Sequence, residues 1–275
     1  MMQAKPQSCP ITGNTSSKLR FSYDSPPVGE TPFKRSSQEL YFREIWEFQP
    51  SGHFVSVHSM QIQTEYDGAY VDATYENASK LRKTFERIIS LPEKASDNTG
   101  RFKAVKNFAE NFFGDSLPPK LLDIGSGLGV FPHAVKLAGW SCTAIDPDHK
   151  AVEHIKNQLK IDALHGDFME LPPSKRFNII TLNKVLEHVN DPILMLGQAK
   201  RWIEEKGFVY IEVPDGELAC KEGSCREEFF VDHLHIFSLA SVAILASRAG
   251  FVVRQINRLQ EPSSKYTIRA FLTVA

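Results

Sequence analysis

One aspartate and three glycines near the middle of the chain form its clearest candidate ligand site. Residues 121–129 read LLDIGSGLG, so Asp123 comes directly before a glycine-rich turn. The three glycines are Gly125, Gly127 and Gly129. The apolar run before the turn predicts a buried strand, and an amphipathic pattern starting at Val130 predicts a helix. Glycine lets backbone approach a ligand closely, and a helix N-terminus offers free N–H groups. The segment therefore predicts a site for a nucleotide-like ligand.

The spacing of these glycines disfavours a dinucleotide. The dinucleotide fingerprint is G-x-G-x-x-G, which needs a small residue at the position that Val130 occupies. Asp123 would also be a poor neighbour for a pyrophosphate, whereas it would attract an amine or another positive charge. The pattern therefore favours a nucleoside-type ligand that carries a positive charge.

Two further acids follow the next two predicted strands. Asp146, followed by Pro147, ends the second strand, where a carboxylate can accept hydrogen bonds from both ribose hydroxyls. Asp167 follows the third strand and can accept from an adenine amino group, while the ring of Phe168 can lie against the base. An Asp after a strand is often only a helix cap, as we expect for Asp148. The three acids at successive strand ends face one rim of the sheet, which is where ligands bind in open α/β folds.

The elements that position these residues alternate between strands and helices from residue 118 onwards. The predicted strands are 120–124, 141–145, 161–164, 177–182, 208–213, 251–259 and 266–274. The predicted helices are 130–138, 149–158, 191–204 and 238–249. This alternation predicts a parallel sheet with right-handed crossovers and helices on both faces. Only a short turn joins the last two strands, so they must pair antiparallel.

The first 117 residues are organised differently. We predict an N-terminal β-rich, ribbon-like module with a tyrosine-rich lid over residues 1–76, a helical connector over 77–117 and the ligand-binding domain over 118–275. Runs at 40–48 and 53–60 flank a Pro-Ser-Gly turn and predict a β-hairpin. Two apolar periodicities within the connector predict helices, the second of which ends near residue 114.

Two segments of the domain resemble a known family. Residues 122–129 resemble motif I of the class I S-adenosylmethionine-dependent methyltransferases, and residues 177–192 are similar to the fourth-strand segment of the small-molecule branch. Asp146 and Asp167 fall where that family places its ribose and adenine acids. The resemblance implies a Rossmann-like α/β fold with strand order 3-2-1-4-5-7-6, in which strand 7 is antiparallel, and S-adenosyl-L-methionine as the methyl donor.

The resemblance also assigns residues to the methionine part of the cofactor. Gly125, Ser126 and Gly127 and their main chain are implied to hold it. Asn183 and Lys184, directly after the fourth strand, are implied to border the sulfonium.

Methyl transfer to a hydroxyl or a carbon acid is helped by a base on the same rim as the cofactor. His188 follows the fourth strand, and Asp232 and His233 lie in the long segment after the fifth. His188, Asp232 and His233 are the predicted catalytic group. His233 is the preferred base, because histidine titrates near neutral pH. The alternatives are that His188 is a helix-start residue bonded to backbone and that His235 is packed under a helix. The predicted acceptor-binding residues are Tyr66, Tyr70, Tyr75 and His235.

The N-terminal module has the outline of a zinc ribbon without its ligands. Residues 9–13 read CPITG, close to a C-P-x-C-G knuckle, and the turn at 48–52 has the same outline with Phe48 and Ser51 in the cysteine positions. Structural zinc needs four ligands, which these segments lack. We therefore expect a module without metal, resembling the zinc ribbon of some sugar methyltransferases. The alternative is that Cys9 is an ordinary cysteine and the similarity is chance. The residues expected to hold the module together are Phe33, Tyr41, Trp46, Phe48 and Phe54.

A second group of possible ligands lies near the predicted catalytic segment. Cys220 and Cys225 have the spacing of a metal-binding pair, but His233 and His235 stand too close together for the usual partner pattern. We predict no metal at this place.

Composition limits the partners. The net charge of -1 gives no broad basic field for nucleic acid, and no apolar run approaches the ~20 residues of a membrane span. The N-terminus lacks the apolar core of a secretory signal, and 4 cysteines are too few for a disulfide framework. We expect a cytoplasmic monomer or homodimer with a small-molecule acceptor and neither a nucleic-acid nor a membrane partner.

These observations leave three functional hypotheses. The first is methylation of a carbohydrate or nucleotide sugar, which rests on the ribbon-like module and the two histidine positions. The second is O-methylation of a quinone, phenolic or lipid-precursor acceptor. The third is a non-catalytic sensor or scaffold that binds S-adenosylmethionine. The chain has no Asn/Asp-Pro-Pro-Tyr/Phe segment after strand four, which disfavours methylation of nucleic-acid bases.

Overall fold

The computed structural model describes residues 6–31, 40–60, 78–114 and 118–275. Phe33 and the three tyrosines of the predicted acceptor side, at positions 66, 70 and 75, lie outside the described residues. No helix in the described ranges is both long and apolar enough to cross a bilayer.

A small antiparallel sheet contains the predicted hairpin. Its strands are β1 (Ser17–Tyr23), β2 (Arg43–Phe48), β3 (His53–His58) and, from much later in the chain, β9 (His235–Ile236). The hairpin β2–β3 is confirmed, whereas β1 and β9 were not predicted. Two residues of β9 pair with β3, which is too short a run for a pattern of alternating side chains to reveal. Through β9, the N-terminal sheet is joined to the C-terminal half of the chain.

A seven-stranded sheet carries the glycine turn. Its strands are β4 (Lys120–Ile124), β5 (Ser141–Asp146), β6 (Asp162–His165), β7 (Phe177–Asn183), β8 (Ile203–Pro214), β10 (Phe251–Gln260) and β11 (Tyr266–Val274). They lie side by side in the order β6-β5-β4-β7-β8-β11-β10. The pairs among the first five are parallel, and β11 runs antiparallel to both of its neighbours. This is the order 3-2-1-4-5-7-6 with strand 7 reversed, so the predicted fold class is confirmed.

The described α-helices flank this sheet. They are α1 (Ala78–Ile89), α2 (Asp97–Phe113), α3 (Val130–Leu137), α4 (His149–Asn157), α5 (Pro192–Gln198), α6 (Gly216–Glu222) and α7 (Leu239–Arg248). The side chain of Asp148 accepts from the backbone N–H groups of Lys150 and Ala151, which confirms it as the cap of α4.

Alternate residues of the strands build two cores, one on each face of the sheet. Leu122 belongs to a cluster that includes buried residues of α5 and α7, and Cys9 and Phe48 of the N-terminal segment join the same cluster. Leu121 belongs to the opposite cluster, which contains buried residues of α1, α2, α3 and α4. Helices therefore cover both faces, as the β/α alternation predicts.

The helix predicted over 191–204 is too long. The α-helix ends at Gln198, a 3₁₀ turn covers Ala199–Arg201, and β8 already begins at Ile203. Trp202 lies between the helix and the strand and is fully buried. Because it is apolar, it continued the helical spacing of apolar residues in the sequence beyond the true end of the helix. Ile203 pairs with Phe177 of β7, a tertiary contact that decides in favour of the strand.

Both knuckle-like segments are tight turns that pack into the domain. The N–H of Gly13 donates to the carbonyl of Cys9 at 2.8 Å, and the N–H of Gly52 donates to that of Phe48 at 2.9 Å. Cys9 is 1% exposed and Phe48 is fully buried, and both contribute to the cluster under α7. Arg248, at the end of α7, donates to the carbonyl of Ile11 at 2.8 Å. Apolar packing therefore holds these turns.

We expect Phe48→Ala to lower the free energy of unfolding by about 3–5 kcal/mol, because it leaves a cavity in a core shared by hairpin and domain. Leu137→Ala, at a side chain that is 74% exposed, is the matched control and should change it by less than about 0.5 kcal/mol. Urea unfolding followed by circular dichroism measures both. Equal effects of the two substitutions would mean that the hairpin packs independently of the domain.

Candidate functional site

The turn between β4 and α3 has a backbone that only glycine adopts easily. Gly125, Gly127 and Gly129 have φ values of 66°, 49° and 69°. The N–H groups of Gly125 and Ser126 donate to the carbonyl of Ile145 at the end of β5, and the Ser126 hydroxyl donates to the carbonyl of Asp123 at 2.9 Å. The turn is therefore fixed against two adjacent strand ends.

Two of these glycines are also required by close contacts. A Cβ atom on Gly125 would lie 2.7 Å from the Val185 side chain, and one on Gly129 would lie 2.7 Å from Leu159. The first contact is the more informative, because Val185 belongs to the loop after β7. That loop therefore packs directly over the glycine turn.

Asp123 is a buried carboxylate at the base of the turn. Its Oδ1 accepts from the Thr181 hydroxyl at 2.6 Å and from Nδ2 of Asn183 at 2.7 Å. Burial raises the pKa of Asp123 to about 6, against the lowering effect of these hydrogen bonds. A cationic amine placed beside this carboxylate would stabilise its charged form.

Sequence reasoning missed Thr181. It lies two residues before Asn183 on β7, so both side chains point to the same side of the strand. The sequence signal for Thr181 was its position two residues before Asn183, a predicted cofactor-binding residue on the same strand.

Asp146 connects the turn to the end of β5. Its Oδ2 accepts from the N–H of Gly127 at 2.7 Å, and its Oδ1 accepts from the N–H of Asp148 at 2.8 Å. Burial raises the pKa of Asp146 to about 6. Each oxygen has a further lone pair, which suits the expected ribose hydroxyls. The next residue, Pro147, offers its carbonyl to Nε2 of His165 at 3.0 Å.

The two residues predicted at the adenine end differ in placement. Asp167 is exposed after β6, and its Oδ1 accepts from the N–H of Met169 at 2.8 Å. Phe168 is 2% exposed and packs against Trp202 with ring centroids 5.6 Å apart. The expectation that the Phe168 ring lies against adenine is therefore corrected, because that ring belongs to the hydrophobic core.

A buried ion network lies beside the ends of β7 and β8. Glu212 accepts hydrogen bonds from Arg101 of α2, from Arg269 of β11 and from the Tyr210 hydroxyl. Burial alone would raise the pKa of Glu212, but the attraction of the two guanidinium groups outweighs it and holds the pKa far below its usual range. The network fixes α2 against the sheet, and no local sequence pattern marks it because Arg101 and Glu212 are 111 residues apart.

Lys184 has a strained backbone and faces this network. Its φ is 58°, a conformation that residues with a side chain rarely adopt. Its Nζ donates to the Thr267 hydroxyl at 3.0 Å, and burial lowers its pKa. The ammonium group is thereby held against β11.

The two predicted catalytic histidines, His188 and His233, are in contact in the structure. The rings of His188 and His233 are 4.9 Å apart between centroids, at 67°. Nδ1 of His188 is 2.9 Å from the carbonyl of Asp232, and Nδ1 of His233 is 2.9 Å from that of Glu228. A carbonyl only accepts, so each Nδ1 carries the proton and each Nε2 keeps the basic lone pair. Burial lowers the pKa of His233, which favours its neutral, basic form.

The predicted Asp232 acts here mainly through its backbone. Its carboxylate Oδ2 is 3.7 Å from Nδ1 of His188, whereas its carbonyl accepts the hydrogen bond. Residues 232–235 form a segment that we call the acceptor strap. The carbonyl of Glu187 accepts from the N–H groups of Leu234 and His235, at 2.7 and 3.1 Å, and so attaches the strap to the loop after β7.

Glu187 is the buried acid of this group. It is fully buried, and within the described ranges neither of its carboxylate oxygens has a hydrogen-bond partner. One ligand atom each of Glu187, His188 and His233 lie within 4.8 Å of one another. Two imidazoles and a carboxylate are a donor set that a divalent ion such as zinc accepts, so the expectation of no metal stays a prediction.

His235 is placed differently from the expectation, whereas the two cysteines form no group with the histidines within the described ranges. His235 is 4% exposed and its Nδ1 lies 3.2 Å from Nε2 of His53, so its predicted acceptor-binding role is corrected to a buried one. Its burial beside the core follows from pairing with β3. Cys220 accepts from the guanidinium of Arg20, and Cys225 is exposed. Neither cysteine belongs to the His-containing group found among the described residues.

Family comparison agrees with this geometry. The profile of a family described as methyltransferase domain matches residues 76–256, more than half of the chain, and the chain belongs to that family. The fold and the family together make it a class I S-adenosylmethionine-dependent methyltransferase.

Two individual relatives match parts of the chain at 30% and 25% identity. The chain is 30% identical over 152 residues to the ubiquinone biosynthesis O-methyltransferase of Pelagibacter ubique, covering 47% of this chain and 63% of that protein. For the enzyme of the same name from Actinobacillus pleuropneumoniae serotype 5b, identity is 25% over 124 residues, covering 41% and 51%. The match therefore spans less than two thirds of the length of either relative.

Solved structures share the fold. Magnesium protoporphyrin IX methyltransferase from Synechocystis PCC 6803, with bound S-adenosylhomocysteine, superimposes with a TM-score of 0.57 at 13% identity, covering 76% of this chain and all of that one. A glycopeptide N-methyltransferase complexed with S-adenosylmethionine gives 0.51 at 13% identity, covering 63% of this chain and 94% of the other. At such identities the likeness is one of fold.

We expect the affinity for S-adenosylhomocysteine to fall as the pH is lowered from about 7.5 to about 5. Asp123 and Asp146 have pKa values raised to about 6, so below this pH they become neutral and lose the charge that we expect to attract the amine and to order the ribose hydroxyls. Binding should release protons near pH 6, because the ligand favours the ionised forms.

Isothermal titration calorimetry in two buffers of different ionisation enthalpy measures both effects. Asp146→Asn should weaken binding and flatten the pH dependence, whereas Glu170→Gln, at an exposed acid near the same rim, should retain it. An affinity that is constant across this range would contradict the assignment.

We also predict that purified protein contains far less than one equivalent of zinc, since Glu187, His188 and His233 do not complete the four-ligand set of a structural zinc site. Elemental analysis after extensive dialysis measures it. A content near one equivalent that Glu187→Gln abolishes would overturn the prediction.

Proposed function

We propose that this methyltransferase transfers a methyl group to the hydroxyl oxygen of a small phenolic or quinone-type acceptor. The observation that carries the proposal is the pair His188 and His233, whose basic Nε2 atoms are set by backbone carbonyls at Nδ1. Several curated relatives are named ubiquinone biosynthesis O-methyltransferase, which supports a hydroxyl acceptor of this class. The carbohydrate acceptor that we favoured from sequence finds no support in the comparisons.

The residues that hold the methyl donor are proposed to act as follows. S-adenosylmethionine supplies an electrophilic methyl group on a sulfonium. The Gly125–Gly129 turn and Asp123 hold the methionine part, since a buried carboxylate whose pKa is raised to about 6 is suited to a neighbouring amine. Asp146 accepts from the ribose hydroxyls, Asp167 is proposed for the adenine amino group, and Asn183, fixed on Asp123, borders the sulfonium.

His233 is proposed as the general base. Its Nε2 removes the proton of the acceptor hydroxyl while the oxygen attacks the methyl carbon, the C–S bond breaks and its electron pair returns to sulfur. Burial keeps His233 neutral near pH 7, and the buried Glu187 carboxylate stabilises the imidazolium that forms. His188 packs against His233 and lines the acceptor side.

The remaining parts of the proposal come from sequence. The three tyrosines at positions 66, 70 and 75 are proposed as acceptor contacts, and the domain bounds 1–76, 77–117 and 118–275 are kept. A cytoplasmic location, a monomeric or homodimeric state and the absence of a nucleic-acid or membrane partner stay predictions.

We expect His233→Ala to lower kcat by about 10²–10⁴-fold, because proton removal from the acceptor is lost. His188→Ala should have a smaller effect, and the double variant should lose less than the product of the two, because the rings act as a unit. Binding of S-adenosylhomocysteine should be unchanged in each variant, which separates a lost base from a damaged cofactor site.

Transfer of radiolabelled methyl to a dihydroxybenzene and to a nucleotide sugar distinguishes the hypotheses. Labelling of the phenolic compound supports the proposal. Labelling of the nucleotide sugar alone contradicts it and supports the carbohydrate hypothesis. Binding of the donor without transfer to either acceptor favours a sensor or scaffold. Unchanged turnover in His233→Ala removes this residue from the mechanism.

A further inference from the structure

Two buried histidines from distant parts of the chain meet behind the acceptor strap. His53 begins β3 and is fully buried, and His235 begins β9 at the end of the strap. Nε2 of His53 is 3.2 Å from Nδ1 of His235, and the two rings stack with centroids 5.4 Å apart. Neither ring has a role in the proposed proton transfer, so this polar contact in an apolar core needs another explanation.

The contact between the two rings requires one N–H donor and one lone pair, so one of the two facing nitrogens carries a proton and the other does not. Nδ1 of His53 lies 3.3 Å from the Ser241 hydroxyl, and that hydroxyl also lies 3.2 Å from the carbonyl of Ser238. The pair is thereby linked to the first turn of α7 with both rings neutral.

The pair lies where three elements meet. His53 belongs to the N-terminal sheet, His235 ends the strap that contains His233, and the N–H of His235 donates to the carbonyl of Glu187 in the loop after β7. Ser241, beside Nδ1 of His53, lies in the first turn of α7, whose N-terminus is closed by reciprocal hydrogen bonds between Ser238 and Ser241.

The strap in turn orients the catalytic rings. The carbonyl of Asp232 holds Nδ1 of His188, and the N–H of Ser56 on β3 donates to the carbonyl of Leu234 at 3.0 Å. A shift of the strap therefore moves the partner of His188 and the backbone of His233 together. Displacements of about 1 Å at a reacting group reduce turnover by as much as about 100-fold.

We propose that the neutral His53–His235 pair is a positioning element, by which the N-terminal sheet fixes both histidines of the acceptor side. Its catalytic consequence rests on the proposed function, whereas its geometry does not. The pair gives the N-terminal module a structural role in the enzyme, because β3 sets the position of the strap.

Few charges face the pair. The two imidazoles face each other, and Asp191, at the cap of α5, is the acid that acts on His235. Burial lowers the pKa of His53 well below its usual range and that of His235 to about 4. The pair is therefore neutral near pH 7, and the stability that it contributes is lost as the pH falls from about 6.5 toward 4.

Substitutions at His53 separate positioning from simple packing. His53→Gln keeps an amide near the Nε2 position that can donate or accept, whereas His53→Leu fills the space and leaves Nδ1 of His235 without this hydrogen-bond partner. His58→Gln changes a histidine at the other end of the same strand and is the matched control. Circular dichroism and thermal unfolding show whether each variant is folded.

The first readout is nitrogen NMR of the imidazole rings, which needs no acceptor. We expect His53 and His235 of the full-length protein to be neutral at pH 7. In folded His53→Leu the ring signals of His188 and His233 should move, while in His53→Gln and His58→Gln they should stay near their original positions. Unmoved signals in His53→Leu, or charged rings in the original protein, would overturn the proposal.

The second readout is steady-state kinetics with the phenolic acceptor. We expect kcat to fall by about tenfold or more in His53→Leu, with KM for S-adenosylmethionine unchanged and activity in His53→Gln within about threefold of the original. Equal losses in the Leu and Gln variants would indicate packing alone and contradict a positioning role. If the original enzyme methylates no acceptor, the proposed function fails, and the NMR readout still decides whether the pair fixes the two rings.

Discussion

The buried carboxylate of Asp123 is the interaction on which the cofactor side depends. A charge in the core is costly unless donors surround it, and here Thr181 and Asn183 supply them from the neighbouring strand. The same bonds align the ends of β4 and β7, above which the glycine turn begins. Packing of Val185 over Gly125 then ties the loop after β7 to that turn. One charge thus connects the glycine turn with the loop after β7, which contains His188.

A backbone junction plays the corresponding part on the acceptor side. The carbonyl of Glu187 accepts from two consecutive N–H groups of the strap, so the loop after β7 and the segment after β8 move as one unit. The small sheet extends this unit through β9, because Phe54 and Val55 of β3 pair with its two residues. The N-terminal segment is therefore attached to the strap that contains His233. Its ribbon-like outline led us to expect a sugar acceptor, which the comparisons do not support, and in the structure the two turns pack into the core of the domain.

Fold and acceptor choice are separate properties in this class of protein. The seven-stranded sheet is shared with enzymes whose names specify a porphyrin and a glycopeptide as acceptors, at identities of 13%. Binding residues in such folds lie mainly on loops that a rigid scaffold positions. In this chain the strap and the small sheet, which meet at His53 and His235, lie outside the seven-stranded sheet. The identity of the acceptor therefore depends on residues outside the central sheet.

The sequence by itself determined the central fold and the order of its parts. Strand and helix periodicity, the glycine turn and the acids at successive strand ends are local patterns, so the β/α alternation and the cap at Asp148 were predictable from residues close in the chain. The strand order followed from the family resemblance of two segments. Only the tertiary structure decided that the ring of Phe168 belongs to the core, that a helix stops at Gln198 and that His235 turns inward to His53. Each of these depends on a neighbour distant in sequence, namely Trp202 for Phe168, Phe177 for Ile203 and β3 for His235. Local patterns record which side chains are apolar or polar, but burial and tautomers are set by the groups that folding brings beside them.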